Sequence, residues 1–203
     1  MITHRDEREL LLRLLRVTGP LPYTLLKAWF KHFYSIDLTT RALREISEQS
    51  FVFFDTQNSY CYLYRGQKVN FDNEYCFYVM LKMLIGAEDT IVKARYPFDY
   101  LFARGEQEYL LINFEKNGEQ KMRLFNNMDT TYTLDNGFIP VIIILSDNKN
   151  FEKTDEFGNA LYIPNCDYIL AKLAYNPKCD IGNRYSVKFE NCKGRRECQN
   201  QKD

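Results

Sequence analysis

The feature that most constrains this chain is the run at residues 138–145, Phe-Ile-Pro-Val-Ile-Ile-Ile-Leu, which carries no charge. Successive side chains of a strand point to opposite faces, so a strand wetted on one face alternates apolar and polar residues. This run does not alternate. It must be covered on both faces, inside a sheet with a layer above and below. Pro140 has no N–H to give to a ladder and is expected at the strand's beginning. Residues 109–115 form a second near-continuous apolar run and ask for the same central position.

Other segments of the second half supply the remaining elements. Residues 73–85 predict a helix ended by Gly86. Strands are expected near residues 90–94 and, after Pro97, over residues 99–103, with Arg104-Gly105-Glu106 as the turn into the run at 109–115. Asn117-Gly118 breaks that run, and a short helix fits from there to about residue 128. Residues 168–175 and 184–189 predict further strands at the sheet margin. The order before the margin is helix, three strands, helix, strand.

The first 66 residues have a different rhythm. Leu10, Leu11, Leu14 and Leu15 recur at helical spacing, with Arg13 and Arg16 opposite and Thr3 as the expected N-cap. Gly19 and Pro20 stop this helix. A second begins near Pro22, which a first turn tolerates, and carries Leu25, Leu26, Trp29 and Phe30. A third, capped by Asp37, covers residues 38–49 with Leu38, Ala42, Leu43 and Ile46 inward. Two β-rich runs follow, residues 51–55 and 60–65, joined by the polar turn Thr56-Gln57-Asn58-Ser59. Three helices and a hairpin in this order predict a winged helix, whose third helix enters the major groove while the hairpin flanks the phosphates. Thr40, Arg41, Arg44 and Gln49 on the third helix, and Arg65 at the hairpin's end, are the candidate DNA contacts. Glu45 and Glu48 stand on the same helix and repel phosphate. Winged helices also serve as protein-interaction modules, which stays open as an alternative.

Composition narrows the function classes. The chain has 203 residues, 45% hydrophobic, with fifteen Phe and fifteen Tyr, so a core is well supplied. Basic and acidic residues balance at 27 each, which argues against indiscriminate nucleic-acid binding and for a local patch. Residues 1–66 hold nine Lys or Arg against seven Asp or Glu, a net of +2. No apolar run approaches the roughly 20 residues that span a bilayer, so no membrane is expected. Residues 1–15 carry charges where a signal peptide needs an apolar stretch, so a cytoplasmic location is expected. Cys61, Cys76, Cys166, Cys179, Cys192 and Cys198 form no Cys-x-x-Cys pair, and His4 and His32 are the only histidines. Reduced, mostly buried thiols are expected rather than a zinc site. No Gly-rich phosphate loop is present.

The element order of the second half resembles the core of the restriction-endonuclease-like fold. Pro97-Phe98-Asp99 stands where that family has Pro-Asp, and Asn113-Phe114-Glu115-Lys116 where it has Glu-x-Lys. With the N-terminal segment, the chain resembles the replication-relaxation family of plasmid and conjugative-element proteins over residues 6–145. The resemblance implies Asp99 as the first acidic residue, Asn113 in the Glu place, Glu115 in the Asp place, Lys116 in the Arg place and Lys121 on the following helix. It implies a magnesium site at Asp99 and Glu115, with Lys116 orienting a water, if the domain is active. The departures are specific. Asn113 is a neutral amide where magnesium needs a carboxylate, one extra residue separates Pro97 from Asp99, and Lys121 lies past the Asn-Gly break.

The expected architecture is α+β: a winged helix over residues 1–66, a mixed-sheet restriction-endonuclease-like (αβββαβ) domain over residues 67–192, and a flexible polar tail over residues 193–203. The expected function is non-enzymatic, with no cofactor. It is an accessory or regulatory DNA-binding protein of a bacterial mobile element, with double-stranded DNA as partner and replication or mobilisation proteins beside it. The rival is a metal-dependent nuclease using Asp99, Glu115 and Lys116. On the non-enzymatic view Asp99 caps a turn and Glu115 is a solvated strand end.

Overall fold

The computed structural model describes residues 5–83, 91–114, 120–121, 124–125, 140–146, 167–176 and 185–193. The chain is α+β, with a small sheet and a large one. The expected helix at residues 84–86, the cap Thr3, the beginning of the apolar run at 138–139 and the tail from residue 194 lie outside the described residues.

Helix α1 (Arg5–Thr18) buries Leu11, Leu14, Leu15 and Thr18 along one stripe, with Arg13 and Arg16 exposed opposite. Gly19 ends it with φ +78°, a left-handed conformation that costs glycine little. Strand β1 (Leu21–Pro22) follows, and Pro22 is the extended N-cap of α2 (Tyr23–Tyr34) rather than part of its first turn. The missing N–H of Pro22 is tolerated because β1 is an edge strand. Helix α2 buries Leu25, Leu26, Trp29 and Phe30.

Helix α3 spans Thr40–Gln49 and buries Ala42, Leu43 and Ile46. Its cap is not Asp37. Thr39, in extended conformation, accepts the Ala42 N–H at 3.1 Å, while Asp37 sits outside and pairs with Lys27 at 3.6 Å. Leu38 is buried, yet it precedes the helix. Strands β2 (Phe53–Asp55) and β3 (Tyr60–Tyr62) form the expected hairpin, and β1 adds to it in the order β1-β3-β2. The Asp55 carboxylate accepts the Asn58 side-chain amide at 2.8 Å and the backbone N–H groups of Asn58 and Gln57 at 3.2 and 2.9 Å, which shapes the turn and holds the carboxyl below its usual range.

Helix α4 (Phe71–Met83) starts two residues earlier than expected because Asn70 caps it, its side-chain oxygen accepting the Asp72 N–H at 3.1 Å. Residues Cys76 to Met80 are buried in succession, so α4 has almost no wet face and must lie between layers. One layer is the N-terminal helices: Phe77 packs against Trp29 with ring centroids 6.3 Å apart. The other is the six-stranded sheet β4 (Val92–Lys93), β5 (Tyr100–Arg104), β6 (Gln107–Asn113), β7 (Val141–Ser146), β8 (Tyr168–Tyr175) and β9 (Tyr185–Cys192), ordered β4-β5-β6-β7-β8-β9.

Within that sheet β6, β7 and β8 run parallel, and the outer pairings are antiparallel. Strand β7 is interior and buried from Ile142 to Ser146, with Pro140 just before it. Ile143 and Leu145 join the core shared with α4 and the N-terminal helices. Ile142 and Ile144 face the other side, where Phe125 of the helical residues 124–125 packs with Phe98. Strand β8 is not marginal as expected. Its neighbours β7 and β9 both pair with it, and Leu170 and Ala171 are buried. Only β9 is an edge. No described helix is long and apolar enough to cross a membrane.

The Glu74 carboxylate, 3% exposed, ties these layers together. Tyr60 of β3 donates to its Oε2 and Tyr185 of β9 to its Oε1, each at 2.6 Å. Burial first, then the hydrogen bond to Glu74 and its charge, push the Tyr185 hydroxyl well above the ordinary tyrosine range.

Two expectations follow. Ile143→Asp puts an unpaired charge between two covered faces and should abolish soluble expression; a soluble, folded variant would show that β7 is not interior. Glu74→Ala removes the acceptor of two charge-assisted hydrogen bonds and should cost about 3 kcal/mol in urea unfolding, with Glu74→Gln milder.

Candidate functional site

Two places collect the residues singled out by sequence. The first is the exposed side of α3 with the hairpin. Thr40, Arg41, Arg44 and Gln49 are all exposed, as is Arg65 beyond β3. At about 100° per residue, Arg41 and Arg44 share a stripe, while Gln49 lies well round the helix from Arg44. Glu45 and Glu48 fall within the arginine stripe. Arg41 donates to Glu45 at 2.9 Å, and this hydrogen bond raises the guanidinium pKa further. The contact is an exposed i,i+4 pair, weak and screened by salt, so a phosphate can replace it.

Ser47, one turn beyond Arg44, borders a groove of about 430 Å³ running to the hairpin. Phe53, Tyr62 and Arg65 line its other side, and the Arg65 guanidinium carbon lies 5.5 Å from the Phe53 ring centroid. The sequence pointed to the arginine. It did not point to the groove, which exists because α3 and the hairpin meet at Ser47, whose hydroxyl oxygen accepts the Phe54 N–H at 3.3 Å.

The second place surrounds Asp99. Its backbone is clamped between neighbours: the Asp99 N–H donates to Leu111 O at 2.8 Å, and the Ala94 N–H donates to Asp99 O at 3.2 Å. Its carboxylate accepts the Asn113 backbone N–H at 2.7 Å and the Lys121 ammonium at 2.7 and 2.8 Å. Lys121 donates also to the Asn113 carbonyl at 2.9 Å. The Lys121 side chain is 9% exposed and that of Asp99 is 27% exposed.

Three of the positions named by the family resemblance, Asp99, Asn113 and Lys121, therefore converge. Asp99 does not cap a turn; it is the counter-ion of a buried lysine. Glu115 and Lys116 lie outside the described residues.

Sequence reasoning missed what surrounds the pair. Cys76 from α4 faces it, and burial first, then the Asp99 charge, push the thiol well above its ordinary range. Cys61, buried in the small sheet, is pushed up to about 12 by burial alone, so both are inert thiols. Lys93 donates to the Tyr100 hydroxyl at 2.6 Å, and burial lowers its ammonium below the usual lysine range. The one available signal was a cysteine beside a glutamate, Cys76 and Glu74, at the start of the apolar stretch of α4.

Chemically, the Asp99 cluster holds one ammonium among three oxygens. A divalent ion asks for more hard oxygens, several of them charged. Here the only described carboxylate already neutralises Lys121, Asn113 contributes no charge, and no group of three or more metal-capable side chains occurs among the described residues. The described residues alone do not make up a magnesium site; Glu115, the second acidic residue the resemblance implies, lies outside them. Comparison with known proteins returns no significant match to a family model, a curated protein or a solved structure.

Removing one partner of a buried ion pair leaves the other uncompensated. Asp99→Asn should therefore destabilise the protein by about 3 kcal/mol, the low end for buried pairs because Asp99 is partly wetted. The double variant Asp99→Asn/Lys121→Met should recover part of that loss; a double variant as unstable as the sum of both single changes would show that the two side chains are not coupled.

Proposed function

We propose that this chain is a non-enzymatic DNA-binding accessory or regulatory protein, its N-terminal segment a winged helix and its C-terminal segment a restriction-endonuclease-like domain without metal chemistry. The observation that carries the reading is the element order α1-β1-α2-α3-β2-β3 with β1 pairing beside β3, which sets an exposed α3 next to a hairpin. In such a unit α3 enters the major groove and the hairpin lies along the backbone. Arg41, Arg44 and Arg65 supply the cations for phosphate or guanine, and Thr40 adds a hydrogen-bonding side chain. Gln49, turned away from the arginine stripe, is a weaker candidate.

The non-enzymatic part is supported by Asp99. Its carboxylate is held by Lys121, an ammonium that cannot polarise a phosphate as a metal does or lower the pKa of a bound water. A setting in plasmid or conjugative-element replication or mobilisation rests on the family resemblance, and partner proteins of that kind are part of the same proposal.

Arg41→Ala/Arg44→Ala should weaken duplex binding far more than Arg104→Ala in the β5–β6 turn, and flatten the dependence of log affinity on log salt by about two units. Unchanged affinity and slope in the double variant would remove α3 from the interface. Supercoiled plasmid incubated with the protein and magnesium or manganese should stay intact. Nicking that Asp99→Ala abolishes would make the chain a nuclease instead.

A further inference from the structure

The β2–β3 hairpin has two unlike faces. Val52 and Cys61 are fully buried and point inward. The alternate residues, Phe53 and Tyr62, stand directly opposite one another, and they point the other way because side chains alternate along a strand. Phe51 and Tyr64 each lie two residues beyond this pair, outside the paired strand residues, at the hairpin's open end. Phe51 is 80% exposed and Tyr64 is 59% exposed. Four aromatic rings thus gather at the hairpin's outward face and its open end, where a hairpin that only grazes phosphates would carry small polar and basic side chains. Large exposed aromatics gathered in this way mark a surface with a partner.

The charge beside the rings identifies the partner. Arg65 lies over Phe53 at the same end of the hairpin, and the groove these two share runs to Ser47, one turn from Arg44 on α3. Asp55, the acidic residue of the groove, is turned toward Gln57 and Asn58 in the hairpin turn. Rings with a guanidinium group over one of them and a second arginine nearby suit a chain of stacked bases and phosphates, since every base has a π-face and every link a negative charge. A duplex keeps its bases stacked on each other and offers no ring faces to a hairpin.

We propose that the outward face of the β2–β3 hairpin stacks unpaired nucleobases, so that the DNA this chain selects is a duplex carrying a single-stranded extension. The inference rests on the DNA-binding reading above and names its substrate class. Arg44 and Arg65 hold backbone phosphates at the junction, and Phe51, Phe53, Tyr62 and Tyr64 receive the first bases beyond it.

The test uses the full chain with one duplex in two forms, blunt and extended by a single strand whose first unpaired positions carry 2-aminopurine. Anisotropy at physiological salt should show binding tightened about tenfold or more by the extension, and 2-aminopurine fluorescence should be quenched by stacking. Phe51→Ser/Tyr64→Ser alters exposed rings only and should lose most of the tenfold gain while keeping blunt-duplex affinity. Phe53→Leu, which retains apolar bulk without a ring, is the second variant and should lose the quenching. Equal affinity for both forms without quenching overturns the stacking proposal and leaves duplex binding intact. A preference for the extension that survives in both variants overturns it too. Quenched binding of the extension without any blunt-duplex binding upholds the platform and removes α3 from the major groove. Binding of neither form overturns both readings and makes the aromatic face a protein contact.

Discussion

Helix α4 has to be dry on nearly every side, and the rest of the structure is arranged to make it so. Cys76 to Met80 are buried in succession, which a surface helix cannot achieve, so α4 is pressed between the N-terminal helices and the large sheet. Polar atoms in such a place need partners. Glu74 finds them in Tyr60 and Tyr185, one from each sheet, and Tyr78 donates in turn to the Tyr185 carbonyl at 2.7 Å. A single buried carboxylate thus links the small sheet, the central helix and the edge strand of the large sheet. The core is continuous from Leu11 through Phe77 to Ile143 and Ala171, so the N-terminal helices and the sheet hold one another in place through α4.

The second organising contact is the Asp99–Lys121 pair at the ends of β5 and β6. A sheet edge of this kind gathers backbone and acidic oxygens in one spot, and a positive charge must balance them. The Lys121 ammonium supplies it. The ion pair also ties the helical residues beyond β6 to the sheet, which sets Phe125 over Ile142 and Ile144 and covers the face away from α4. The same contact is therefore part of how the sheet is closed on its far side.

Much of this was legible in residue order. Leu11, Leu14 and Leu15 repeat with the helical period, and their stripe is the buried one. The charge-free run ending at Leu145 required cover on two faces, and β7 has it. Elsewhere local signals competed. Asp37 and Thr39 are both good caps, and the choice fell to Thr39 because its backbone is extended at the helix start. Residues 168–175 read as a margin strand, yet β9 pairs alongside, and Lys172 reaches Glu190 of that strand at 2.7 Å. The lysine is accommodated by a neighbour that local pattern could not reveal.

The sequence by itself determined the elements, the α+β class, the interior strand and the exposure of the α3 arginines, because periodicity and turn chemistry act over a few residues. Only the tertiary structure decided the partners. Glu74 meets Tyr185 across 111 positions of chain, and Lys121 meets Asp99 across 22. The groove beside Arg65 likewise needs a helix and a hairpin to meet at Ser47. Contacts of this kind depend on how layers stack, and hydrophobic burial, which drives the stacking, has no direction of its own. Which charge lies against which hydroxyl or carboxylate is settled only once the layers have closed.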